Sequence, residues 1–75
     1  MQDRIFQVAS KILDVPVTDI NPHSTPQTLG TWDSLRHMNL IVALEEEFDI
    51  QFSDDEIGDL QSMSKIMGVI QRHAP

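Results

Sequence analysis

Apolar residues near the start of the chain recur with the spacing of a helix that buries one face. The repeat is formed by Ile5, Val8, Ala9 and Ile12. Their i, i+3, i+4 and i+7 spacing is that of an amphipathic α-helix. Pro16 ends it, because proline has no backbone N–H and its ring clashes with the preceding turn. The pattern therefore predicts a first helix that stops by about Asp14.

The stretch from Val15 to Trp32 has the composition of a loop. It contains three of the four prolines and several serine, threonine and asparagine residues, which oppose regular structure. Loops of this length are uncommon in compact domains unless the core fixes them. We expect Val17, Ile20 and Leu29 to insert into the core and fix this one.

A second helix is predicted from Asp33 or Ser34 to about Phe48. Both residues are favoured N-caps, and no helix breaker follows them before Phe48. At about 100° per residue, the apolar side chains of this helix form two stripes. The core stripe contains Leu40, Ile41, Leu44 and Phe48. The outer stripe contains Leu35, Met38 and Val42.

The segment after this helix predicts a third, short helix. Ser53 and Glu56 have the S-x-x-E spacing of a capping box. The helix that they start carries Ile57 and Leu60 on one side.

A last helix is predicted to begin at Ser62 or Ser64 and to end near Arg72. Its apolar face is formed by Met63, Ile66, Met67 and Ile70. No strand pattern competes with the helical spacing anywhere in the chain. The chain is therefore expected to be all-α, and at 75 residues it is expected to form one domain over residues 1–75.

Composition excludes several classes of protein. The chain has no cysteine, so neither a disulfide nor a thiolate metal site is expected. It has no apolar run near 18 residues and no basic-then-apolar leader, so neither a membrane span nor a signal peptide is expected. Twelve acidic and five basic residues give a net charge of −7, which repels nucleic acids. A cytoplasmic monomer with basic partners is the expectation.

Carboxylates flank the outer stripe of the second helix. Glu45 and Glu46 lie on either side of it. An apolar strip with an acidic rim is suited to docking, because apolar contact supplies affinity while charge selects and orients basic partners. The alternative is that this central helix simply has a wide buried face.

Neither a catalytic nor a metal site is indicated. Ser34, His37 and Asp33 superficially suggest a hydrolase, but a catalytic triad needs an oxyanion hole and groups on separate elements. His23 and His73 lie far from His37 in the sequence and lack ligand spacing. We therefore expect no catalytic residue and no metal ligand.

Two segments resemble the modification site and second helix of acyl carrier proteins. They are the run Gly30-Thr31-Trp32-Asp33-Ser34-Leu35 and the run Ala43-Leu44-Glu45-Glu46-Glu47-Phe48. The resemblance covers nearly the whole chain. It implies a small antiparallel four-helix bundle, with three longer helices, one short helix, and a long loop between helices one and two.

The resemblance also implies a function. Ser34 would carry 4′-phosphopantetheine, attached covalently from coenzyme A by a separate phosphopantetheinyl transferase. The protein would be a carrier and not an enzyme. It would present acyl groups, held as thioesters, to acyl-activating, acyltransferase or condensing enzymes. The implied partner-binding residues are Asp33, Leu35, Met38, Val42, Glu45 and Glu46.

Some residues near Ser34 depart from the pattern of housekeeping fatty acid carriers. Arg36, His37 and Asn39 make the start of the second helix less acidic, and Trp32 precedes the Asp-Ser pair. We interpret this as a sign of a specialised polyketide, nonribosomal peptide or modified-lipid pathway. An aminoacyl or peptidyl carrier and an unmodified acidic adaptor are the alternatives.

Overall fold

Helix α1 spans Gln2–Leu13 in the computed structural model, which describes residues 2–73. Its buried side chains are Ile5, Phe6, Ala9 and Leu13. Val8 and Ile12, which were predicted on the core face, are only partly buried. The buried stripe is therefore rotated by about 60° from the predicted one, towards Phe6 and Leu13. The predicted end of the helix is confirmed, because Asp14 adopts a left-handed conformation with φ 56°.

Helix α2 spans Ser34–Phe48 and runs antiparallel to α1. Arg4, at the start of α1, places its Nη2 2.6 Å from the Glu47 carboxylate at the end of α2. At the opposite ends of the two helices, Arg36 Nη1 donates to the carbonyl oxygen of Ile12 at 3.4 Å. The two cross-contacts show that the two helices run in opposite directions.

The long loop between these helices is held by apolar side chains, as predicted. Ile20, Leu29 and Trp32 are all buried. The prediction for Val17 is wrong, because this residue is 44% exposed. It begins a one-turn 3₁₀ helix, Val17–Asp19, that contributes no buried residue.

The same loop also caps the last helix. Helix α4 spans Met63–His73, and its first N–H groups have no acceptor within the helix. The loop supplies two acceptors, since Met63 N–H donates to the Ser24 carbonyl and Ser64 N–H to the Pro22 carbonyl, each at 3.0 Å. The loop is therefore tied to α4 by its backbone as well as by burial.

Helix α3 spans Asp54–Asp59 and begins with the predicted capping box of Ser53 and Glu56. Leu60 is fully buried but lies just beyond the helix, and Ile57 is half-buried. Residues 2–73 thus form four α-helices around one core, which confirms the small all-helical bundle. Within that range, no helix has both the length and the apolar character that a membrane span requires.

Candidate functional site

Ser34 is the first residue of α2, and its side chain is exposed. The cap of this helix is Asp33, whose Oδ1 accepts a hydrogen bond from the backbone N–H of Arg36 at 2.9 Å. Sequence alone left both residues as cap candidates. Because Asp33 performs the capping, the Ser34 hydroxyl remains available to solvent and to other molecules.

The start of α2 is suited to an anionic group on Ser34. The first intrahelical hydrogen bond runs from His37 N–H to the Asp33 carbonyl at 2.8 Å. The N–H groups of Ser34 and Leu35 therefore have no acceptor within the helix. These donors and the positive end of the helix dipole stabilise a phosphate by about 0.3–1 kcal/mol at an exposed position. The residues present fit a phosphate ester at Ser34.

A groove of about 410 Å³ lies beside this hydroxyl. Its lining residues are Pro26, Trp32, Asp33, Ser34, His37, Met38 and Gln61. They come from the loop, from the first turns of α2, and from the segment after α3. An extended chain attached to Ser34 would therefore find a concave surface next to its point of attachment.

The imidazole of His37 faces the loop and α3. Its Nδ1 accepts a hydrogen bond from Trp32 Nε1–H at 3.0 Å, and its Nε2 lies 3.3 Å from the carbonyl oxygen of Ile57. Both ring nitrogens are thus engaged away from Ser34. This arrangement leaves the serine without the base that a hydrolase would need.

The two stripes predicted on α2 are present. Leu40, Ile41 and Leu44 are buried, and Phe48 is partly buried against the core. The outer stripe faces solvent, with exposed fractions of 71% for Leu35 and 49% for both Met38 and Val42. The alternative of one wide buried face is therefore wrong.

The acidic pair beside the outer stripe is divided between two environments. Glu45 is half-buried, and its Oε2 accepts a hydrogen bond from Phe52 N–H at 2.8 Å. Glu46 is exposed. Both line a surface cleft of about 530 Å³ that also includes Val42. Glu46 thus presents its charge outwards, whereas Glu45 also holds the chain after α2.

Sequence reasoning missed the intramolecular partners of Arg36 and His37. Arg36 contacts the last turn of α1, and His37 joins Trp32 to Ile57. No spacing signal would have revealed these contacts, because they depend on where the loop and α3 pass. No group of three metal-binding side chains occurs among the residues that the structure describes.

Comparison with known proteins agrees with this geometry. A family model described as "Phosphopantetheine attachment site" matches residues 3–70. An acyl carrier protein of Buchnera aphidicola subsp. Acyrthosiphon pisum (strain Tuc7) is 38% identical over 73 residues, which cover 96% of this chain and 90% of that relative. The acyl carrier protein of Buchnera aphidicola subsp. Schizaphis graminum (strain Sg) is 34% identical over 70 residues, which cover 93% of this chain and 89% of that relative. The chain therefore belongs to the family of acyl carrier proteins, which carry phosphopantetheine and are not themselves enzymes.

Proposed function

We propose that Ser34 is the attachment residue for 4′-phosphopantetheine and that residues 1–75 form a single carrier domain. The observation that carries this proposal is the exposed hydroxyl of Ser34 at the start of α2 in a chain of this family. Asp33 supports the assignment, because it caps the helix and leaves the serine hydroxyl free to react. The carrier would hold acyl groups and present them to partner enzymes.

The residues around Ser34 have separate parts in attachment. In the reaction of a phosphopantetheinyl transferase, the Ser34 hydroxyl loses its proton and forms a phosphodiester bond with the phosphopantetheine phosphorus of coenzyme A, from which adenosine 3′,5′-bisphosphate leaves. The free N–H groups of Ser34 and Leu35 favour the anionic product. The attached group supplies a thiol that holds acyl groups as thioesters.

The proposed docking surface for partner enzymes consists of the outer stripe and the carboxylates beside it. Its apolar part is Leu35, Met38 and Val42, which are exposed and lie on the same helix as Ser34. Asp33, Glu45 and Glu46 add negative charge along it. Apolar contact would supply affinity, and the carboxylates would orient basic residues of a transferase, acyl-activating enzyme, acyltransferase or condensing enzyme.

The proposal extends to the state and location of the carrier. A net charge of −7 on a 75-residue chain disfavours self-association, which supports a monomer. Because coenzyme A is the donor of the arm, we place the carrier in the cytoplasm beside the enzymes that load it.

An intact-mass experiment tests the attachment residue. The purified protein is incubated with coenzyme A and a broad-specificity phosphopantetheinyl transferase. We expect a mass gain of one phosphopantetheine that is lost in Ser34→Ala. The matched control is Ser64→Ala, since Ser64 is an exposed serine in the first turn of α4, and it should keep the gain. Absence of a gain with several transferases would favour the unmodified adaptor.

We further propose a specialised pathway rather than bulk fatty acid synthesis. The support is the low negative charge at the start of α2, where Arg36, His37 and Asn39 follow the attachment serine. Of these three, Asn39 is exposed. If a housekeeping condensing enzyme elongates acyl chains on this protein as efficiently as on its own carrier, the specialised pathway is wrong. Loading by an amino acid-activating enzyme instead would identify an aminoacyl or peptidyl carrier.

A further inference from the structure

The two hydrogen-bond partners of His37 place different demands on its two ring nitrogens. An indole N–H can only donate a hydrogen bond, so Nδ1, which lies 3.0 Å from Trp32 Nε1, must present its lone pair. A carbonyl oxygen can only accept, so Nε2, which lies 3.3 Å from the Ile57 oxygen, must carry the proton. Both contacts are satisfied by a neutral ring that carries its proton on Nε2.

This ring joins three parts of the fold. Trp32 ends the long loop, His37 lies in the first turns of α2, and Ile57 belongs to the six-residue helix α3. The rings of Trp32 and His37 are nearly stacked, with centroids 6.0 Å apart and an angle of 27° between their planes. Both side chains also line the groove beside Ser34. The two hydrogen bonds thus connect the wall of that groove to α3.

Protonation is incompatible with one of these hydrogen bonds. An imidazolium ion donates from both nitrogens, so a proton on Nδ1 would face the N–H of Trp32. Two donors in that position repel, and either the imidazole or the indole must move. If the indole is the group that moves, the bond to Ile57 survives, because Nε2 remains a donor.

We propose that His37 is a pH-sensitive link between the loop and α3. The neutral ring holds Trp32 against α2 and connects it to Ile57. The protonated ring releases Trp32, which changes the shape of the groove next to Ser34. Histidine side chains ordinarily change charge between about pH 5 and 8, which is the range that the experiment below covers. The link does not depend on what Ser34 carries.

The charged side chains near the His37 ring make their hydrogen bonds to other groups. The groove is lined by residues of the loop, of α2 and of the segment after α3, and Asp33 is the charged one among them. Its carboxylate already accepts the N–H of Arg36. The Arg36 guanidinium points to Ile12 on α1. Helix α3 meets the imidazole with a backbone carbonyl, that of Ile57.

Trp32 provides a direct readout, because the chain contains one tryptophan. We would follow its fluorescence and its indole N–H chemical shift from pH 8 to pH 5, with far-UV circular dichroism to show that the helices persist. The wild type should show a single transition. His37→Gln should abolish it, since glutamine can both accept from an indole N–H and donate to a carbonyl but does not titrate in this range.

Two other histidines provide matched controls. His23 lies in the loop and His73 at the end of α4, and His23→Gln and His73→Gln should leave the Trp32 transition intact. In the wild type at pH 8, nitrogen chemical shifts should place the His37 proton on Nε2. A proton on Nδ1, a wild type without a transition, or a transition that persists in His37→Gln would each overturn the proposal.

Discussion

The carboxylate of Glu45 accepts a hydrogen bond from the backbone N–H of Phe52 at 2.8 Å, which ties the second half of α2 to the segment that leads into α3. Phe52 itself is buried. Between the two residues the chain reverses at Asp49, which has a left-handed φ of 54°. Glu45 therefore stabilises this reversal in addition to its proposed contact with partners, whereas the neighbouring Glu46 is exposed.

Substitution of the two glutamates should separate these contributions. We expect Glu45→Ala to lower the free energy of unfolding by about 1–2 kcal/mol, because a charge-assisted hydrogen bond is lost and the N–H of Phe52 is left without its acceptor. Glu46→Ala should change it by less than about 0.5 kcal/mol, as is usual at exposed positions. Urea denaturation of both variants measures the difference. Equal effects would show that the Glu45 bond adds no stability.

Truncation of a side chain should destabilise the protein far more in the core stripe of α2 than in its outer stripe. Leu40 is fully buried and Leu35 is 71% exposed. Leu40→Ala should cost about 2–5 kcal/mol through loss of burial and the cavity that remains, a large part of the few kcal/mol expected for a core of this size. Leu35→Ala should cost less than about 0.5 kcal/mol. Thermal unfolding measures both effects.

The same pair tests the docking surface. Leu35→Ala should remain folded yet bind a partner transferase more weakly, by about 10-fold if the side chain is a central contact worth over 1 kcal/mol. Titration calorimetry against the transferase gives the affinity. Unchanged binding would remove Leu35 from the proposed surface, without affecting the assignment of Ser34.

Helical spacing and capping residues predict all four helices, and the predicted end of α1, both ends of α2 and both ends of α4 lie within one or two residues of those observed. Each helix has a local signal at its start or end, such as Pro16 after α1 or the capping box of Ser53 and Glu56. The start of α2 is also indicated by local sequence, because Asp33 and Ser34 are both favoured caps, while the structure shows that Asp33 is the one that caps. Features that depend on residues close together in the chain can therefore be predicted from the sequence.

Contacts between distant segments were not accessible in this way. Val17 has an apolar side chain in the long loop, yet it lies on the outside of a 3₁₀ turn, while Ile20 three residues later is buried. The roles of Trp32 and His37 depend on the path of the loop past α2 and of α3 beside it. Periodicity describes one element at a time and contains no information on such paths.

Asp33 is predicted to contribute through two separable properties. Its side chain caps α2 by accepting the N–H of Arg36, and its charge is proposed to contact the transferase. Asp33→Ala should lose about 0.5–2 kcal/mol of stability, because the cap is removed. Asp33→Asn should keep nearly all of that stability, since asparagine caps about as well as aspartate.

The rate of Ser34 modification then isolates the charge. We expect the transferase to modify Asp33→Asn more slowly than the wild type at low salt, and the difference should shrink as salt screens the interaction. Initial rates at several salt concentrations provide the measurement. Equal rates for the wild type and Asp33→Asn would mean that Asp33 acts as a cap only.

The contact between Glu56 in α3 and His73 at the end of α4 should make the free energy of unfolding depend on pH in the acidic range. Glu56 accepts hydrogen bonds from the backbone N–H of Ser53 at 2.9 Å and lies 3.0 Å from Nε2 of His73. The backbone N–H of Ser53 first, and then the bond to His73, lower the pKa of Glu56 from its ordinary value. The folded protein therefore holds this carboxyl ionised at a pH where the unfolded chain already binds a proton.

The sign of the effect follows from this lowered pKa. The contribution of Glu56 to stability is fully present above its unfolded pKa of about 4.3, and it is lost as the pH falls through the lower pKa of the folded state. Glu56→Gln keeps a capping-box partner for Ser53 but cannot titrate. Its unfolding free energy should therefore decline less steeply than that of the wild type below about pH 4.3. His73→Gln should fall between the two, because the N–H of Ser53 remains. Parallel curves for Glu56→Gln and the wild type would contradict the lowered pKa.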